Sequence, residues 1–296
     1  MTIADRANVL AFLKSNDAPA DADVAAQRAR LDTLADFFPV SPDTAVEQSS
    51  IGGVKGEWVR TGNARKDAAL LYLHGGGYMT GSPKSHRHLV AALSDAAGIG
   101  VFAADYRMAP EHPFPAAVDD GVAVYKGLLD SGLAPSKLAI AGDSAGGGLT
   151  FATLVAARDK GLPMPACAIG ISPWTDLSQG GEAYRTRLKR DPMITKDGLD
   201  AMASAYLGGK DAKTPLASPI FADLKGLPPL LIQVGTEEAL HSDSTGFATR
   251  AETAGVEVSF ESWAGMMHVW HIFFPILSEG RDAIARIGTY LKANIA

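Results

Sequence analysis

Cysteine is nearly absent: Cys167 is the only one in 296 residues. No internal disulfide can form, and its place in the apolar stretch from Ala166 to Ile171 reads as a small buried core residue. Long hydrophobic runs are missing too. No stretch approaches the ~18 apolar residues that span a bilayer, and the start, Met1-Thr2-Ile3-Ala4-Asp5-Arg6, has neither the basic region nor the apolar core of a signal peptide. A membrane partner is not expected, and a cytoplasmic location is. Positive charge is in deficit, with 27 Lys and Arg against 33 Asp and Glu and a net charge of -6. No basic stripe alternates with aromatics, so nucleic acid is not an expected partner. Internal repeats and low-complexity tracts are also lacking. A 47% hydrophobic and 20% charged composition then fits an ordinary globular domain.

Two amphipathic helices are expected first. Ile3, Ala7 and Leu10 share helical spacing over residues 3–14, and Val24, Leu31, Leu34 and Phe38 do so over 22–38, where Pro39 and Pro42 end the run. Residues 45–60 carry short β-type runs around Gly52-Gly53, the mark of a hairpin. The chain then alternates: strand from Ala68 to Leu73, helix from Lys84 to Ala97, strand from Ile99 to Ala104, helix from Pro115 to Leu129, strand from Lys137 to Ala141, helix from Leu149 to Lys160, and strand from Cys167 to Ser172. That order predicts a mainly parallel sheet covered on both faces. The rhythm breaks over 178–213, where Asp197 to Tyr206 is the best helix, and this segment reads as an insertion. It resumes with a strand from Pro229 to Val234, a helix from Ser242 to Ala254, a strand from Val256 to Glu261 and a closing helix from Arg281 to Ala293.

Chemistry concentrates at three places. Gly142-Asp143-Ser144-Ala145-Gly146 joins a strand to a helix. The glycines let strand and helix pass closely, and the strained serine between them is pushed into the open beside unpaired helix N–H groups. Upstream, the strand ending at Leu73 runs into His74-Gly75-Gly76-Gly77-Tyr78. Successive glycines leave backbone N–H groups unobstructed, as a tetrahedral oxyanion requires. The expected donors are the amides of Gly76, Gly77 and Ala145. Downstream, Gly265-Met266-Met267-His268-Val269-Trp270 follows the last strand, where a histidine base can reach Ser144. His271 is the competitor, but no third ligand accompanies the pair as a metal site would need. Asp143 reads as an acceptor that fixes its loop, and His86, His88, His112 and His241 read as structural or surface residues.

These motifs, with Asp105-Tyr106-Arg107-Met108-Ala109-Pro110-Glu111 between the first two, resemble the hormone-sensitive-lipase family of α/β-hydrolases, the bacterial family IV carboxylesterases. The likeness runs from about residue 45 to the C-terminus. It implies an eight-stranded, mostly parallel sheet with helices on both faces and a helical cap. The domains would be helices within 1–45 forming part of the cap, a catalytic domain of 46–177 and 214–296, and a cap insertion of 178–213. The resemblance also aligns Glu238, in Gly235-Thr236-Glu237-Glu238-Ala239-Leu240, with the acid of a Ser-Asp-His order. Glu stands here for the family's usual Asp and Ala239 for its Pro, so Glu237 and Asp243 remain rivals. The Asp105–Glu111 stretch reads as a turn supporting the glycine loop.

The activity so implied is hydrolysis of short-chain acyl esters through an acyl-enzyme by Ser144, His268 and Glu238, without metal or organic cofactor. A lactonase or amidase would use the same groups, and a non-catalytic ligand-binding protein is the alternative of another class. The expected partner is a small-molecule ester, and a homodimer is allowed. The basic run Arg185–Arg190 reads as a solvated face. Phe12, Phe37, Phe38, Met202, Tyr206 and Leu207 are candidates to line the pocket.

Overall fold

The structure is a computed structural model that describes residues 3–15, 23–62 and 64–295. Helices α1 (Ile3–Ser15), α2 (Val24–Asp32) and α3 (Leu34–Phe37) come first. The hairpin follows, with β1 (Ala45–Ile51) and β2 (Val54–Arg60) paired in antiparallel register from Ala45 opposite Arg60 to Ile51 opposite Val54. Then come β3 (Arg65–Leu73), α4 (Pro83–Ala97), β4 (Ile99–Ala104), α5 (Ala116–Asp130), β5 (Leu138–Asp143), α6 (Ala145–Asp159) and β6 (Cys167–Ile171). The stretch 178–213 holds α7 (Ala183–Thr186) and α8 (Lys196–Leu207). The chain closes with β7 (Leu230–Gly235), α9 (His241–Thr253), β8 (Val258–Trp263) and α10 (Ser278–Asn294).

The eight strands form one sheet in the order β1-β2-β4-β3-β5-β6-β7-β8. From β4 to β8 all neighbours are parallel, while β2 meets β4 antiparallel. This is the α/β-hydrolase arrangement that the alternating pattern and the resemblance predict. The pleat of β3 sends alternate side chains to opposite faces. Leu70 and Tyr72 join the cluster under α4 and α10, which also takes in Cys167. Leu71 and Leu73 join the cluster under α5, α6 and α9, where Phe151 stacks on Phe247 with centroids 4.1 Å apart. Each fully buried Leu of this kind contributes roughly 1.5–3 kcal/mol relative to an exposed one.

Three local expectations are corrected. In α1 the buried residue is Val9, with Phe12 and Leu13 half-buried, whereas Ala7 and Leu10 are exposed. The docking face is therefore one step around the helix from the expected one, because Trp270 and Phe273 offer their apolar surface on that side. The helix expected over 22–38 breaks at Thr33, whose amide and hydroxyl both donate to the Arg30 carbonyl and close the turn; residue 22 lies outside the described residues. Helix α6 begins at Ala145 rather than Leu149, so the three glycines are helical. Their poor helix propensity is overridden by packing: a Cβ on Gly146 would lie 1.9 Å from the Leu73 carbonyl oxygen.

Candidate active site

Ser144 occupies the corner between β5 and α6 with φ 53° and ψ -122°. A left-handed φ at a non-glycine residue is strained and persists only where neighbours hold it. Here the Ser144 amide donates to Ile171 O at 2.8 Å, and its carbonyl accepts from Trp174 N at 2.8 Å and Gly148 N at 3.1 Å. Backbone bonds on both sides thus fix where the hydroxyl points.

His268, in the loop between β8 and α10, places Nε2 2.9 Å from Ser144 Oγ and Nδ1 2.9 Å from Glu238 Oε2. Glu238 follows β7 and is fully buried. Its other oxygen accepts from Ser172 Oγ at 2.7 Å and from the Gly235 amide at 2.5 Å. Burial alone would lower the His268 pKa. The hydrogen bond and negative charge of Glu238 outweigh it and hold the imidazole above its ordinary value.

The rival carboxylates lie elsewhere. Glu237 is gripped by Arg190, with Nε and Nη2 at 2.7 and 2.8 Å. Asp243 is buried, and its Oδ2 accepts the amides of Thr175 and Asp176 at 2.9 and 2.8 Å. Burial pushes its carboxyl up to about 8. Neither touches His268. His271 faces Gln233 Oε1 at 2.7 Å, and no set of three metal-binding side chains is gathered among the described residues. His88 meets Ile272 O, His241 meets Ser262 Oγ, and His112 is exposed.

Above the serine, Gly76 and Gly77 adopt φ of 114° and 63°. Gly77 also lacks room, since a Cβ there would lie 2.0 Å from Met202 Sδ of α8. Among the described residues, no acceptor meets the amides of Gly76, Gly77 or Ala145. The loop is braced from beneath. Asp143 Oδ1 accepts from Gly75 N at 2.9 Å and Tyr72 Oη at 2.6 Å, while its Oδ2 lies 3.4 Å from His86 Nε2. Burial would raise the Asp143 pKa, but His86 and these hydrogen bonds bring it down to about 2. From the Asp105–Glu111 turn, Tyr106 stacks on His74 at 4.4 Å and donates its hydroxyl to His74 O at 2.7 Å.

A cavity of about 590 Å³ opens over these groups, lined by Ser144, His268, Gly76, Gly77, Trp174 and side chains of α1, α2 and α8. Of the expected lining residues, Phe12 and Met202 are there. Phe37 is exposed, Phe38 packs on His88, Tyr206 stacks on Tyr78 at 3.7 Å, and Leu207 is core. None of Arg185–Arg190 lines the cavity. Sequence reasoning missed Ser172 and His86. Ser172 carried one faint signal, a hydroxyl at the end of a buried strand; His86 was visible only as one of two histidines at the start of α4.

An eight-stranded, mostly parallel sheet with a strained serine at a strand-to-helix corner and a histidine within its reach defines an α/β-hydrolase. Comparison with known proteins narrows this. A family model described as alpha/beta hydrolase fold matches residues 70–272. The chain is 52% identical over 244 residues to an acetyl-hydrolase of Streptomyces hygroscopicus, covering 82% of this chain and 81% of that protein. It is 35% identical over 266 residues to an esterase of Acinetobacter venetianus, covering 90% and 88%. A crystal structure of an esterase from the bacterial hormone-sensitive lipase family superposes with a TM-score of 0.97 at 44% identity, covering 100% of both chains. The chain belongs to the hormone-sensitive-lipase branch of the α/β-hydrolases and is a carboxylic ester hydrolase. No helix among the described residues is long and apolar enough to cross a membrane.

Proposed function

We propose that this protein is a serine carboxylesterase for short acyl esters, acetyl esters above all, acting through an acyl-enzyme. The observation that carries the reading is the unbroken chain from Ser144 Oγ through His268 to Glu238, with both links at 2.9 Å. Ser144 Oγ attacks the ester carbonyl as its proton passes to His268 Nε2. Glu238 holds the imidazole in the tautomer that keeps the proton on Nδ1, then stabilises the imidazolium. Negative charge growing on the carbonyl oxygen meets the amides of Gly76, Gly77 and Ala145, supported by the positive end of α6. The imidazolium protonates the departing alcohol. Water, deprotonated by His268, then releases the acid from Ser144.

The helices within 1–45 and the insertion 178–213 serve as a cap over the catalytic body of 46–177 and 214–296. Cavity-lining residues in α1, α2 and α8 support that division. The acetyl preference draws on the name of the Streptomyces relative and on Met202, which closes over Gly77.

The test is direct. Wild type mixed rapidly with p-nitrophenyl acetate should show a burst of nitrophenolate and an acetyl mass increment on the peptide bearing Ser144. Ser144→Ala should lose both while keeping its circular dichroism. Turnover undiminished in that variant would overturn the assignment.

A further inference from the structure

Helices α1 and α2 form one wall of the cavity. Leu10, Phe12, Leu13 and Lys14 line it from α1, and Gln27, Arg30 and Leu31 from α2. Leu10, Leu13 and Lys14, like Gln27, Arg30 and Leu31, have i, i+3, i+4 spacing, which puts each set on one stripe of its helix. Helix α2 has no buried residue. Its rotation is set by polar bonds on the adjoining stripe. The Arg28 guanidinium donates to Met79 O at 2.7 Å, to Ala109 O at 2.9 Å, and to both Glu111 oxygens at 2.9 and 2.8 Å. Asp32, one turn on, accepts from the Ser82 hydroxyl. With Arg28 and Asp32 fastened to the catalytic body, Arg30 is aimed into the cavity.

Each stripe carries a cation without a counter-ion among the described residues. No carboxylate among the described residues pairs with Lys14 or Arg30. The one acidic side chain lining the cavity is Asp143, whose charge is already taken up by His86, Tyr72 and the Gly75 amide. Both cations lie in the last turn of their helices, where they complement the dipole. That role would be served on any side of the helix, and it does not explain why both lie on the stripe facing the serine. The molecule as a whole, at net charge -6, repels anions, so this wall is a local reversal of its field.

We propose that the ester's alcohol half carries an oxyanion, a carboxylate or phosphate, that is held by Arg30 and Lys14. This rests on the acetyl-esterase reading above: an acetyl group has no room for a charge, so the anion belongs to the leaving alcohol. The substrate class is then the acetyl ester of a hydroxy acid or of a phosphorylated alcohol.

Acetyl esters of ω-hydroxy carboxylates and ω-hydroxyalkyl phosphates of increasing length, each against its neutral carboxamide counterpart, test this in the full-length enzyme. At low salt the best-matched anion should exceed its carboxamide in kcat/KM by roughly three- to tenfold, the scale of two partly exposed ion pairs. The preference should shrink as added salt shortens the screening length. Arg30→Glu should bring the ratio below one, and Lys14→Ala with Arg30→Ala should bring it to about one. Equal rates for anion and carboxamide at every length in wild type would overturn the anionic substrate and leave the esterase intact. Failure of wild type to cleave any acetyl ester would instead overturn the reading on which it rests.

Discussion

Ser172 Oγ donates to Glu238 Oε1 at 2.7 Å and accepts the Val269 amide at 3.1 Å, so one hydroxyl ties the loop of the proposed acid to the loop of the proposed base. Ser172 itself has φ 46°, and Val269 has φ 45°. Two strained residues thus meet through one buried hydrogen-bonded group beside His268. Ser172→Ala should leave the fold intact but take one of the two donors from Glu238 Oε1, which keeps the Gly235 amide, and leave the buried Val269 amide unpaired, at a cost of about 1–3 kcal/mol. We expect kcat to fall roughly tenfold, with a smaller change in KM, as His268 loses its alignment. Steady-state kinetics beside a thermal melt will separate the two effects. Unchanged kcat would mean that Glu238 and His268 hold their places without Ser172.

The Glu238–His268 pair predicts a pH profile. In the proposed mechanism His268 must be neutral to accept the Ser144 proton, and its pKa is raised above the ordinary 6.5. The acid limb of kcat/KM should therefore turn above that value, with activity lost as pH falls through it. Glu238→Gln removes the charge that favours the imidazolium, so the inflection should move to lower pH while the plateau falls by about 10²–10⁴. Glu237→Gln, which affects contacts with Arg190 and the Thr236 hydroxyl but none with His268, should change neither.

Gly77 is confined by both conformation and space, with φ 63° and Met202 Sδ at 2.0 Å from a notional Cβ. Gly77→Ala should lower kcat by about 10²-fold, the scale of a lost oxyanion donor. Adding Met202→Ala relieves the collision but not the left-handed backbone. The double variant should recover only part of the loss. Full recovery would show that crowding alone was at fault.

Asp243 predicts how stability varies with pH. Its carboxyl is raised from 3.8 to about 8 in the fold, so the native state holds a proton that the unfolded chain has released at neutral pH. Stability should therefore decline as pH rises between those two values, because the native state binds more protons throughout the window. Asp243→Asn keeps an acceptor for the Thr175 and Asp176 amides and should flatten that dependence. Urea midpoints across the range will show it. Parallel slopes for the two proteins would remove Asp243 as the source.

Much of this architecture was legible because its signals are local. The buried strands read as apolar runs, the Gly-x-Ser-x-Gly corner announces a strand-to-helix turn, and the glycines after Leu73 leave amides bare whatever surrounds them. Helix α6 starts four residues ahead of where glycine's propensity places it, because propensity says nothing of a carbonyl 1.9 Å from a notional Cβ. The buried face of α1 is not legible locally, because the choice among its apolar residues belongs to Trp270 and Phe273, far along the chain.

The sequence by itself determined the alternation of strands and helices, the serine and its turn, the glycine loop and a histidine after the last strand, since each depends on residues within one turn or one strand. Only the tertiary structure decided which of Glu237, Glu238 and Asp243, three carboxylates within seven residues, meets His268. It also brought Ser172 and His86 into the site and aimed Arg30 at the cavity. The physical reason is common to all of these. A carboxylate's role follows from which donors reach it once water is excluded, and those donors come from loops joined only through the packed sheet.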